Sequence, residues 1–345
     1  MAYTTIPKST DYFNTKLYSG NGSTNSITGV GFQPDWTWIK TRNLDGYNHN
    51  VYDAVRGVTK LLKPSGDNAE ITSATSLTAF DSDGFSFGGT GTGEINQSNG
   101  TYASWNWKAN GAGSANTDGD INSTVSANTT SGFSIVNYTG TLSGSGNPTV
   151  GHGLGVAPAV IIIKSASNGE NWGVQHTSLP ANYLLQLNTT SAQINSASQG
   201  TLTAPTSSVF TVNYSGEWGN SGQNYIAYCF AEKQGFSKFG SFTASNPCFV
   251  YTGFKPAFVI LKRYSATGNW SILDNKRANS FNPQDPLYAN ATDAEQTSDD
   301  YDLVSNGFVI RNASGGGGGD SGSMLYMAFA EEPLVSTNGI PATAR

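Results

Sequence analysis

The chain is poor in charge. Asp, Glu, Lys and Arg make up only 12% of its 345 residues, about half the share of an ordinary soluble domain. The net charge is −6, so the sequence has no basic footprint of the kind that binds a phosphate backbone, and nucleic acid is not an expected partner. Low charge combined with 12% aromatic residues is also not a disordered composition, which pairs high net charge with few aromatics. Long apolar runs are missing. The longest aliphatic stretch, Val160 to Ile163, is far short of the ~20 residues that span a bilayer, and residues 1–20 lack a basic start followed by an apolar secretory run. Membrane insertion is therefore not expected. Cysteine is almost absent. Cys229 lies in an apolar, strand-like run and reads as a buried thiol, whereas nothing in the spacing decides whether it pairs with Cys248. This usage is compatible with folding in a reducing compartment.

The sharp catalytic motifs are missing as well. No GxSxG, HExxH or P-loop pattern occurs. His49, His152 and His176 are scattered and have no cysteine nearby, whereas a metal site needs clustered ligands. They read as structural histidines. Asp118-Gly119-Asp120 hints at calcium but completes no loop motif, and reads as a solvated turn. Glu217 and Glu232 are available carboxylates, yet nothing marks them as the placed pair that a glycosidase requires. The sequence thus predicts no catalytic residue, no metal and no cofactor, and the protein is not expected to be an enzyme.

What the chain has is repetition. Val30 to Lys40 (VGFQPDWTWIK), Leu154 to Lys164 (LGVAPAVIIIK) and Thr252 to Lys262 (TGFKPAFVILK) are variants of one stretch. In each, a glycine lies three residues before a proline, and a lysine lies six after it. The β-branched and aromatic run between proline and lysine predicts a buried strand. Other features recur at matched spacing: Trp172 and Trp270 each lie eight residues past the lysine. Ala69-Glu70, Ala192-Gln193 and Ala294-Glu295 each follow a leucine by seven. Trp105 and Tyr228 match near the last strand of their units. The abundant glycine (41 residues) suits an all-β chain with many turns, and no segment keeps a helical period. The expected fold is all-β, with three tandem antiparallel β-sandwich units, jelly-roll or lectin-like, of roughly 100 residues each. Boundaries are expected at 1–10 (a polar leader), 11–109 (unit one), 110–130 (a linker), 131–233 (unit two), 234–334 (unit three) and 335–345 (a frayed tail). Units two and three should form a compact pair, with unit one joined to them by the linker.

Two groups of side chains stand out. Asp53 and Arg56, and Asp274 and Arg277, share a three-residue step and predict structural ion pairs that pin a turn beside the sheet. Unit two shows no such pair. Tyr47, Trp218 and Tyr301 are aromatics in loop-like surroundings. Trp218, inside EWGNSGQN, is the type of ring that stacks on a sugar, and the three are the candidate glycan-binding residues. Loops on a rigid scaffold are where binding usually sits.

Taken together, the leader MAYTTIPKSTDYFNTKLYSGNGS, GFQPDWTWIK with YNHNVYDAVRGVTK, DSDGFSFGG, NGTYASWNWKANG, NYIAYCFAEKQGFSKFGSFT, VYTGFKPAFVILKR, VSNGFVIRN and LYMAFAEEP resemble a family of tailed-bacteriophage virion proteins common in marine phages. The resemblance covers almost the whole chain. It implies a structural or tail-fibre-like protein with lectin-like β domains, located in the virion after assembly in the bacterial host cytoplasm. It also implies other virion proteins of capsid or tail as partners, and a homo-trimer. No family catalytic residues transfer. The expected function is multivalent attachment to host-surface polysaccharide or environmental glycans. The alternative is a purely architectural role as capsid decoration, head fibre or tail component, which the short leader favours. A polysaccharide-degrading enzyme is the third reading.

Overall fold

The computed structural model describes residues 4–89, 94–144, 146–213, 217–277, 285–297, 300–311 and 322–333. The described residues hold no α-helix, only strands and two 3-10 turns at Ser9–Asp11 and Ala197–Gln199. The all-β class is as the sequence predicts. Residues 335–345 and the glycine run at 315–319 lie outside the described residues.

Unit one contributes β1 (Phe13–Ser19), β2 (Thr24–Thr28), β3 (Trp36–Thr41), β4 (Asn50–Asp53), β5 (Lys60–Leu61), β6 (Ile71–Thr72), β7 (Leu77–Asp81), β8 (Gly84–Gly88) and β9 (Thr101–Trp107). Next come β10 (Ser114–Asn116), β11 (Ser123–Asn128), β12 (Phe133–Thr139), β13 (Thr149–Gly151), β14 (Val160–Ser165), β15 (Gly173–His176), β16 (Tyr183–Gln186), β17 (Ile194–Asn195), β18 (Val209–Thr211) and β19 (Asn224–Phe230). The last group is β20 (Ser237–Thr243), β21 (Cys248–Tyr251), β22 (Phe254–Arg263), β23 (Trp270–Asp274), β24 (Leu287–Tyr288), β25 (Tyr301–Val304), β26 (Gly307–Ile310) and β27 (Ser323–Pro333).

Three inner sheets share one strand order: β1-β9-β3-β4, β12-β19-β14-β15 within an eight-stranded sheet, and β20-β27-β22-β23. Their ladders are antiparallel. Each is backed by a smaller outer sheet, β2-β8-β7, β13-β18 or β21-β26-β25. The inner strands are covered on both faces, which is why β3 and β14 are buried at every position instead of alternating. Between each inner and outer sheet lies a separate apolar cluster, around Phe85 and Tyr102, Phe210 and Trp218, or Phe308 and Tyr326. At two hairpins a glycine is required by close approach. A Cβ at Gly84 would stand 1.9 Å from the Ile27 carbonyl oxygen, and one at Gly307 would stand 2.0 Å from that of Val250.

The largest cluster is common to all three inner sheets. The residue two past each proline (Trp36, Val160, Phe258) pairs across its ladder with Trp107, Phe230 or Phe329. Those three rings touch pairwise: Trp107–Phe230 at 6.3 Å between centroids, Trp107–Phe329 at 5.6 Å and Phe230–Phe329 at 5.7 Å. They form a triangle at the centre of the molecule.

Residues 110–130 are not a bare linker: they supply β10 and β11, which add to β12, and bury Ile121 and Val125. Unit one is therefore not held at arm's length from a compact pair, because its Phe13, Trp36, Trp105 and Trp107 share the central cluster with both others. The polar leader also contributes, since Ile6 is buried in that cluster. Apolar surface on the inner face of each sheet has no other cover, so the sheets cover one another.

With one shared core, guanidinium unfolding monitored by tryptophan fluorescence and by far-ultraviolet circular dichroism should give a single coincident transition. Phe329→Ala should lower stability by about 3–5 kcal/mol without splitting it. Separate transitions would contradict the shared core.

Candidate functional site

The seams between the inner sheets hold most of the buried polar chemistry. Asp53 ends β4, and its carboxylate is completely buried. Oδ1 accepts the backbone N–H groups of Val55 and Arg56 at 3.1 and 2.8 Å. Oδ2 accepts Arg56 Nε at 2.6 Å and the Tyr228 hydroxyl of unit two at 2.8 Å. Asp274 ends β23 and repeats the arrangement. Lys276 and Arg277 N–H groups donate to Oδ1 at 3.0 Å each, Arg277 Nε donates to Oδ2 at 2.6 Å, and Trp105 Nε1 of unit one donates to Oδ2 at 2.9 Å. The Arg277 guanidinium also lies 5.7 Å from the Trp105 ring centroid. Both expected ion pairs are present, and they do more than pin a turn, because each carboxylate also ties its unit to a neighbour.

Unit two fills the same place differently. His176 stands in the register position of Asp53 and Asp274, opposite Val160 where those face Trp36 and Phe258. Its Nδ1 accepts the Ser178 N–H at 3.0 Å, and its Nε2 donates to the Tyr326 carbonyl of unit three at 3.4 Å. The contacts thus run from unit one to two, two to three and three to one. The sequence holds the signal for this: His176 and Asp274 each lie 12 residues past the repeated lysine, and Asp53 lies 13 past it.

A second set runs the other way round. Lys40, Lys164 and Lys262 face His49, Trp172 and Trp270 across their ladders, as the register continues past Ile39–Asn50, Ile163–Gly173 and Leu261–Ser271. His49 Nε2 donates to the Tyr288 carbonyl at 3.0 Å, Trp172 Nε1 to that of Lys63 at 3.1 Å and Trp270 Nε1 to that of Gln186 at 2.9 Å. The matched pairs Glu70, Gln193 and Glu295 lend their backbone N–H groups to Ala166, Tyr264 and Arg42 of neighbouring units at 2.9, 3.0 and 2.7 Å. The three lysines are buried and donate to backbone carbonyls. Burial pushes Lys40 and Lys164 down to about 8 and Lys262 to about 7.

The proposed sugar-stacking aromatics are not assembled. Trp218 and Tyr301 are buried in the cores of units two and three, at 0% and 1% exposure, and Tyr47 is half-buried in unit one. Trp218 folds back on its sandwich, where Gly173 leaves room: a Cβ there would stand 2.8 Å from the indole. Among the described residues the exposed aromatics are instead Phe249 and Tyr251, two apart on the edge strand β21, and no local spacing in the sequence marks them. Asp120 is not a solvated turn residue only, since its Oδ2 accepts Thr149 N and Oγ1 at 3.0 and 2.9 Å. Among the described residues no group of three or more His, Cys, Asp or Glu side chains is placed to hold a metal ion. Cys229 is a buried thiol and Cys248 is half-buried, with no bond between them.

One seam opens to solvent. Between units one and two lies a cleft of about 480 Å³, with Arg56 and Glu70 on one side and Asn122, Thr124, Asn137 and Asn224 on the other. Arg56 Nη1 and Lys60 Nζ both pair with Glu70, at 3.2 Å.

The chain belongs to a family described as a domain of unknown function (DUF7483), whose profile matches residues 8–333. Comparison with curated proteins and with solved structures returned no match.

Asp53→Ala strands a buried guanidinium and should lower stability by about 3–5 kcal/mol, whereas Asp53→Leu with Arg56→Met should recover most of that loss. Urea midpoints measure both, and a single variant costing under ~1 kcal/mol would remove the ring's structural role. Burial pushes the His176 imidazole down to about 4, against the opposing hydrogen bond to Tyr326. As pH falls from about 6.5 toward 4, the unfolded chain takes up a proton that the folded chain refuses. Stability present above pH 6.5 is therefore lost across that window. His176→Gln should reduce the drop in urea midpoint between pH 7.5 and 4.5, and an unchanged drop would refute this assignment.

Proposed function

We propose that this chain is a non-enzymatic protein of a tailed-phage virion with an architectural role, as a rigid component of capsid or tail. The observation that carries this reading is the closed ring of inter-unit contacts around the aromatic triangle. Asp53, His176 and Asp274 are each committed to a neighbouring unit, so the groups best suited to acid–base chemistry are engaged in holding the body together. A body locked in this way suits a protein that resists deformation. Support for the virion setting comes from the motif resemblance. It also supplies the proposed partners, other capsid or tail proteins, and the proposed homo-trimer assembled in the host cytoplasm.

A second reading, multivalent attachment to host-surface or environmental glycans, is favoured by one feature: the polar cleft between units one and two. Weak contacts repeated over an oligomer and over many particle copies raise avidity by ~10²–10⁴.

Cryo-electron microscopy of intact particles, with particles lacking this chain as the comparison, separates the two. The architectural reading expects fixed, symmetric occupancy and particles that lose thermal stability without the chain. Particles of unchanged stability that fail to adsorb to cells would overturn it in favour of attachment.

A further inference from the structure

We infer that the cleft between units one and two is a binding site for a short neutral oligosaccharide; this deepens the attachment reading and rests on it. The cleft has a specific structural origin. β10 and β11 extend the inner sheet of unit two beyond β12, toward unit one. Among the described residues, neither of the other inner sheets has strands added at that edge. The wall so created carries Asn122 and Thr124, with Asn137 and Asn224 on the adjoining strands. At the position matching Asn137, unit one has Leu17, which packs against the central cluster. Unit three has the exposed Ser241 at the same register position, so what sets unit two apart is the wall added by β10 and β11.

The lining selects a ligand class. Asn122, Thr124 and Asn137 make no side-chain hydrogen bond among the described residues, so amide and hydroxyl donors and acceptors stand ready for a ligand. The Asn224 side chain accepts from Thr139 at 2.9 Å, and its amide nitrogen remains to donate. The charges at the opposite wall balance: Arg56 and Lys60 against Asp53 and Glu70, all engaged with one another. A balanced wall has no excess field for phosphate, sulfate or a cation. A lining dominated by amides and hydroxyls excludes an apolar ligand. A neutral molecule with many hydroxyl groups satisfies both conditions, because each hydroxyl both donates and accepts. About 480 Å³ lies within the usual range of small-ligand sites. Val55 and Ala166 add small apolar surface to the lining.

The test uses the full-length protein on an array of neutral hexose and N-acetylhexosamine oligosaccharides, followed by calorimetric titration of any glycan retained. Asn137→Leu reproduces what unit one already has at that position, and Thr124→Val keeps the volume of the side chain, so both are expected to fold with the wild-type circular dichroism spectrum. Binding by wild type that falls tenfold or more in either variant, with Tyr251→Ala unaffected, supports the site. Binding that persists in both variants, or that is lost in Tyr251→Ala, overturns the cleft while leaving attachment in place. Absence of binding to every neutral glycan at millimolar concentration overturns the inference. Attachment itself then falls too if particles lacking the chain adsorb normally to cells.

Discussion

The structure depends on a single constraint, the meeting of three aromatic rings, Trp107, Phe230 and Phe329, where three sheets converge. Each inner sheet has two apolar faces. The smaller outer sheet covers one, and the other has only the remaining inner sheets to cover it. Burying that second face is the dominant favourable term in assembling the units. It also dictates what the polar residues must do. A carboxylate near such a core loses its water, and a group in that position is tolerated only with partners on every oxygen. Asp53 and Asp274 meet that demand with two backbone N–H groups, one guanidinium and one donor from the adjacent unit. The inter-unit bond is thus the last requirement of an ion pair made costly by the aromatic core.

Unit two solves the same problem without charge, and the reason lies across the seam. The ring partners Trp105 and Tyr228 each offer a donor, an indole N–H or a phenol O–H. The residue of unit three matched to Trp105 and Tyr228 is Met327, at the register position opposite Ile260, and a thioether has no proton to donate. An aspartate at 176 would have no inter-unit donor there. An imidazole reverses the polarity: it accepts from its own loop and gives its proton to the Tyr326 carbonyl beside Met327. Three residues past His176, where the other units have arginine, Leu179 packs against the central cluster. Neutral imidazole with leucine replaces carboxylate with guanidinium, a substitution of the kind that buried ion pairs tolerate with little loss. The neutral His176 and Leu179 of unit two thus go with a unit-three residue, Met327, that has no donor to offer a carboxylate.

Local features were legible in the sequence and long-range ones were not. The buried strands and the Asp–Arg pairs follow from spacing within a few residues. The partners of those pairs lie 175 and 169 positions away, and no local pattern announces them. Residues 110–130 read as a linker because they hold few large apolar side chains. β10 and β11 are strands at the edge of a sheet, and Ile121 and Val125 suffice to seat them. Trp218 read as an exposed ring because its neighbours are Gly, Asn and Ser. Its burial depends on Gly173, 45 residues earlier, whose missing side chain makes the pocket. The three lysines marked the ends of strands correctly, but their burial could not be foreseen. Each reaches backbone carbonyls only when the neighbouring loops are in place.

The same reasoning indicates where function can reside in such a body. Wherever the three segments match, their polar groups are consumed by one another, and those groups have nothing left for a ligand. Capacity for an external partner must arise where the match breaks. Two breaks stand out. One is β21, where Phe249 and Tyr251 face solvent. The other is the added pair β10 and β11, which lengthens one sheet and walls the seam beside Asn137. At the first break the exposed groups are apolar and lie on an open strand face. At the second, unpartnered amides and hydroxyls line a cleft whose opposite wall is braced by the Arg56–Glu70 bridge. A ligand held there would touch residues of two units at once. Because those units are fixed by the aromatic triangle, the two walls of the cleft are already in place before the ligand arrives, and the ordering cost of binding is correspondingly small.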